Sequence, residues 1–168
     1  MGRFFLMAFI VVSGACCAWA QLGQPQSATD TFLGRPLASH VEASTNTTVV
    51  RYRNAAYEVT AGFKNNGAAY FIYKKSTGGS WQDAEIQAVL DAHRLGHSEW
   101  KWDKNIITGR HGPAVHRGAP SHINEAQHWH IFAHDQYAAE YYPEKGVLIV
   151  WDTAQGVEPA AILNQAPL

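Results

Sequence analysis

Residues 48–93 read TVVRYRNAAYEVTAGFKNNGAAYFIYKKSTGGSWQDAEIQAVLDAH. Strand, turn and helix signals follow one another here without a gap. Tyr57, Val59, Ala61 and Phe63 alternate with Glu58, Thr60, Gly62 and Lys64, which is the period of a strand with one buried face. Asn65-Asn66-Gly67 supplies residues that tolerate the positive φ of a tight hairpin. Residues 68–75 return as a more apolar, more central strand. Residues 76–79 break the sheet. Ser80 is placed to cap a helix, with Asp83 and Glu85 in the first turns, where the helix dipole favours negative charge. Ile86, Val89, Leu90 and His93 recur at helical spacing and form one stripe to lay on the sheet. Gly96 supplies the stop. Strand, hairpin, strand and helix in that order predict an α+β domain.

Upstream, residues 1–20 have the build of a signal peptide. Arg3 gives a positive start, residues 4–12 are apolar, and Ala18-Trp19-Ala20 fits the small-x-small cleavage rule. The apolar run is too short for a membrane span. A lipoprotein signal using Cys16 or Cys17 is the alternative. Cleavage after Ala20 removes both cysteines and both methionines, so the mature chain has no disulfide and no soft sulfur ligand. The remaining ~150 residues fit one domain. With histidine neutral the whole chain carries a net charge of −1, which points away from a nucleic-acid partner or an anionic membrane surface. Residues 21–45 read as a polar arm with one short helix near residues 28–33, ended by Gly34 and Pro36. Asn46-Thr47-Thr48 matches a glycosylation sequon.

Leu22-Gly23, Phe32-Leu33-Gly34-Arg35-Pro36, Phe63-Lys64-Asn65-Asn66-Gly67, Ile72-Tyr73-Lys74-Lys75 and the helix over residues 80–90 resemble a group of small secreted bacterial proteins. The resemblance covers roughly residues 22–102. It implies a hairpin followed by a short helix and carries no assigned activity. Phe-Leu-Gly stands where that group has Tyr-Gly, and the mature region lacks cysteine. The order Leu-Gly-x-Pro and then strands is also similar to small outer-membrane assembly lipoproteins, although two helices expected ahead of the sheet have little room. Neither resemblance implies a catalytic residue.

Downstream the character changes. Trp100 and Trp102 alternate with Glu99, Lys101 and Asp103 as a short strand. Gly109, Gly112, Pro113, Gly118 and Pro120 then mark a long loop, whose tip holds Arg110, His111, His116 and Arg117. A loop of that length in a compact domain is functional or mobile. Residues 127–133 alternate, with His128 and His130 on one face and Trp129 and Ile131 on the other. Residues 137–142 and 147–151 are two further strands, the latter the most apolar run of the mature chain and therefore central. Residues 153–168 form an irregular tail.

All but one of the nine histidines lie within residues 93–134. Imidazole is the commonest neutral metal ligand, and a thiol-free exported chain must use histidine and carboxylate. His128 and His130 can reach one divalent metal from a strand face, with His134 joining across the turn and His111, His116 and His122 available from the loop. The bland alternative is a scatter of surface histidines, since no HExxH motif or standard zinc spacing is present. His128 or His130 with Asp135, Glu125 or Asp152 can form an acid–base pair. There is no Gly-x-Ser-x-Gly elbow and no mature cysteine to act as nucleophile. Aromatic residues on an exposed sheet face can bind sugars, peptides or an apolar partner. Trp100 and Trp102 are the candidates for such a patch, and core packing is the competing use of the same rings. Separately, Arg110, His111 and His116 of the basic loop can meet an acidic ligand, with a solvated loop as the alternative.

These observations predict an exported α+β domain over residues 46–152. It consists of two meanders in an antiparallel sheet of five or six strands, one main amphipathic helix packed on it, and a long histidine-rich loop. The expected function is that of a non-enzymatic periplasmic or envelope protein binding another protein or a polymer, with no cofactor. A histidine-based metal-binding protein or a small metal-dependent hydrolase is the alternative.

Overall fold

A computed structural model describes residues 20–93, 100–102, 107–108, 112–113, 127–131, 137–143, 145–157 and 163. Helix α1 (Gln26–Leu33) is followed by strands β1 (Ala38–Glu42), β2 (Thr47–Arg53), β3 (Tyr57–Lys64) and β4 (Gly67–Lys75) and then by helix α2 (Asp83–Ala92). Strands β5 (Trp100–Trp102), β6 (Ile107–Thr108), β7 (Gly112–Pro113), β8 (Gln127–Ile131), β9 (Tyr137–Tyr142) and β10 (Val147–Asp152) complete the described strands. A 3₁₀ turn, Thr153–Gln155, follows. Eight strands form one sheet in the order β1-β2-β3-β4-β10-β9-β8-β5, while β6 and β7 pair separately. Every pairing is antiparallel. The protein is therefore a mixed α+β fold on an antiparallel sheet.

The β3–β4 hairpin forms where expected. Lys64 pairs with Gly67, and both loop residues have positive φ, 52° at Asn65 and 66° at Asn66. That combination matches the right-handed twist of the flanking strands. Gly67 has a separate reason to be glycine: a Cβ there would stand 2.9 Å from the Gly23 carbonyl oxygen. Residues 23 and 24 lie along this hairpin, with Gly23 N–H donating to the Ala68 carbonyl and Ala68 N–H to the Gln24 carbonyl, both at 2.8 Å.

Helix α2 begins two residues later than the Ser80 cap expected from sequence. Gln82 is the N-cap, and the Glu85 carboxylate accepts from its N–H at 2.7 Å. Lys75 at the end of β4 donates to the same carboxylate at 2.9 Å, and Lys75 together with the Gln82 amide holds the Glu85 carboxyl below its ordinary range. The preference for Gln82 follows from these two partners, which a cap at Ser80 would leave out of reach of the first turn. The expected stripe is buried: Ile86, Val89 and Leu90 pack on the sheet.

One face of the sheet meets α2 and the N-terminal segment through Val50, Tyr52, Val59, Phe71, Tyr73, Leu148 and Val150, with Ala20 and Leu22 closing the same cluster. The opposite face holds a second cluster of Tyr70, Ile72, Val147 and Ile149, on which Val157 and Leu163 of the C-terminal segment pack. Both faces of the centre are covered, which is why β4 and β10 read as apolar runs without clean alternation.

The stretch read as a polar arm contains structured elements. α1 covers the short helix expected there, and the Tyr52 hydroxyl donates to Asp30 on it at 2.7 Å. β1 was not foreseen. It lies at the edge of the sheet, pairs with β2 from Ala38↔Arg51 to Glu42↔Thr47, and is exposed over most of its length. An edge strand with little burial has no hydrophobic period to betray it. Most of the long histidine-rich loop lies outside the described residues.

Candidate functional site

The expected metal ligands fall mainly on strand β8. His128 pairs with Glu140 and His130 with Ala138 of β9, and His130 also faces Lys101 of β5. His134 lies outside the described residues, as do Arg110, His111, His116 and His122. Among the described residues no group of three His, Cys, Asp or Glu is arranged to hold a metal ion. Asp152, one carboxylate considered for an acid–base pair, pairs with Tyr137 in the sheet and accepts from the Ala154 N–H at 2.9 Å.

Of the residues expected in an aromatic or loop-borne binding patch, Trp100 alone has a described side chain. Trp100 is buried, and its indole N–H donates to the Leu90 carbonyl at the end of α2. It joins the helix-side core, so it offers no exposed ring for a ligand. Trp102 sits opposite Trp129 in the β5–β8 ladder. Trp81 stacks on Tyr57 at 5.2 Å and donates its indole N–H to the Gly146 carbonyl at 2.9 Å. Large rings fill the gap between sheet and helix, and the indole N–H groups of Trp81 and Trp100 each find a backbone carbonyl.

One histidine with a defined environment is His93, the C-cap of α2. It is 0 % exposed. Its Nε2 lies 2.8 Å from the Tyr73 hydroxyl oxygen, and its ring packs on Phe71 at 5.1 Å. Nδ1 has no hydrogen-bond partner among the described residues. Burial pushes the imidazole down to about 3 and raises the Tyr73 phenol. Two neutral groups sealed from solvent cannot exchange protons with a substrate, so this pair is a core hydrogen bond. Its stripe position beside Val89 and Leu90 was the available sequence signal.

The surface feature that sequence reading missed lies on the outer side of β2, β3 and β4. A cavity of ≈ 80 Å³ opens between Arg51, Arg53, Glu58, Thr60 and Lys74, with Ile72 and Leu37 as its apolar walls. That volume is well above the ~10–15 Å³ that admits one water. Register explains the assembly. Arg51 pairs with Thr60 and Thr60 with Ile72; Arg53 pairs with Glu58 and Glu58 with Lys74. Leu37 is brought in by its N–H, which donates to the Arg51 carbonyl at 2.8 Å. Arg53 and Glu58 form an ion pair at 2.8 Å. Among the described residues neither Arg51 nor Lys74 has an ion pair. The sequence signal was the alternation of Arg51 with Arg53 and of Glu58 with Thr60, the polar face of the same strands whose apolar face defines the core.

Comparison with protein-family models, with curated proteins and with solved structures gives no match to this chain. Among the described residues no helix is long and apolar enough to cross a membrane.

Proposed function

We propose that this chain is an exported, non-enzymatic binding module of the periplasm or cell envelope, built as two meanders joined through α2 and a long histidine-rich loop. Its partner is an envelope protein or polymer, met on the outer side of β2–β4. The observation that supports this reading is the cavity in which Arg51 and Lys74 stand without an ion pair beside apolar Leu37 and Ile72. Uncompensated cations beside apolar surface are the ingredients of recognition, and His93 is withdrawn into the core. The signal-like residues 1–20 support export.

Two experiments test it. Fractionation of cells expressing the full chain should place a form shortened by the leader outside the cytoplasm; a full-length cytoplasmic product would refute export. Co-sedimentation of the mature protein with purified envelope material should be saturable and lost on the double change Arg51→Gln with Lys74→Gln. Retention unaffected by that pair would remove the cavity as the binding surface.

A second reading rests on the alternation of His128 and His130 along β8. Here the protein holds a divalent metal through these residues and His134. Metal content of tag-free protein, compared with that of His128→Ala with His130→Ala, decides it. Stoichiometric metal lost in the variant supports the site, and metal-free wild-type protein removes it.

A further inference from the structure

We propose that the cavity on β2–β4 binds a phosphate group in its dianionic form, carried on an envelope polymer or presented as a small phosphomonoester. This rests on the reading of that cavity as the binding surface and names its ligand chemistry.

Arg51, Arg53 and Lys74 line the cavity with Glu58. The Glu58 carboxylate is taken up by Arg53 at 2.8 Å, which leaves two cations uncompensated among the described residues. Two like charges facing one cavity repel each other, and the repulsion is relieved by an anion placed between them. One negative charge balances half of the pair; a group with two balances all of it.

Geometry adds a second constraint. Arg51 lies on β2 and Lys74 on β4, with Thr60 and Glu58 of β3 between them. Lys74 is aligned with Glu58 and Arg53 and not with Arg51, so Arg51 and Lys74 are offset by two strand spacings across the sheet and two residues along it, ~12 Å in all. Side chains as long as those of arginine and lysine close that gap around one central group. Arg51 offers a planar fork and Lys74 a compact ammonium, so together they approach a tetrahedral group from two sides. Thr60, 8 % exposed, supplies a hydroxyl on the strand between. Ile72 and Leu37 provide apolar contact for whatever carries the phosphate. A planar carboxylate satisfies the Arg51 fork and leaves Lys74 unused.

The test is calorimetric titration of the mature protein with inorganic phosphate at about pH 8, where a phosphate carries close to two charges, and at low ionic strength. Acetate is the comparison titrant. Saturable binding of phosphate, at least about tenfold tighter than acetate, is expected. Arg51→Gln and Lys74→Gln should each weaken phosphate about tenfold or more, the loss that follows from removing a charge-assisted hydrogen bond. Lys145→Gln, an exposed lysine on the β9–β10 turn, should leave affinity unchanged. Glu58→Gln releases Arg53 and should tighten binding. The melting temperature of every variant is measured, so that a folding defect is not taken for a binding defect.

Phosphate without saturable binding, or binding indifferent to Arg51 and Lys74, overturns the inference. So does acetate bound as tightly as phosphate. Glycerol phosphate binding like inorganic phosphate supports a site open to an esterified group. If phosphate fails while envelope retention still depends on Arg51 and Lys74, the ligand class is wrong and the binding surface stands. If phosphate binds while envelope retention ignores both residues, the ligand class stands and the surface has another purpose.

Discussion

His93 Nε2 lies 2.8 Å from the Tyr73 hydroxyl oxygen, with both rings sealed between the end of α2 and strand β4. The pair couples the helix to the sheet through one neutral hydrogen bond. It also makes the fold sensitive to acid.

The folded His93 imidazole is pushed down to about 3 from an ordinary value of 6.5 by burial. Between those two values the unfolded chain binds a proton that the folded chain refuses. Stability is thus fully present above the unfolded value and falls as pH drops from 6.5 toward 3, by up to ~1.4 kcal/mol per pH unit from this group. Urea unfolding between those limits should give His93→Phe a shallower decline than wild type. Equal slopes would show that His93 is not buried in the neutral form.

Tyr73→Phe removes the partner of His93 Nε2 and leaves both imidazole nitrogens without one among the described residues. A buried polar atom left unpaired costs about 1–3 kcal/mol. Chemical denaturation should show that loss with little change in the dependence on denaturant. If Tyr73→Phe is neutral, the hydroxyl and imidazole are not bonded in solution.

Gly62 lies under the Tyr70 ring, where a Cβ would overlap the ring atoms. Tyr70 is itself packed in the outer cluster and cannot swing away freely. Gly62→Ala should destabilise by about 1–3 kcal/mol through overpacking. Adding Tyr70→Ala should make the double variant less destabilised than the sum of the single changes, since the clash then has no target. Simple additivity in that cycle would mean the two positions do not touch.

Trp100→Ala should lower stability by about 3–5 kcal/mol, the usual loss for a large ring taken from a core. Thermal melts read this directly. A variant with an unchanged melting temperature and lost envelope retention would instead return Trp100 to the role of an exposed contact.

The features legible in residues 48–93 are those governed by neighbours in the chain. Alternation between Tyr57 and Phe63 reports one buried face, paired asparagines report positive φ, and Ile86, Val89 and Leu90 report a helix stripe. Each needs only backbone geometry and a local period. β1 escaped because an exposed edge strand buries too little to carry a period. Trp100 was ambiguous because a large ring is equally compatible with core and surface until its neighbours are known, whereas His93 was legible as part of the helix stripe and only its partner Tyr73 was not. The cavity was illegible for a stronger reason. Arg51, Glu58 and Lys74 are brought together by the registers of two hairpins, and a shift of one residue in either would send a side chain to the opposite face. Local chemistry decided which segments became strands and helix; only the pairing of those strands decided which charges meet, because charges attract or repel across space and not along sequence.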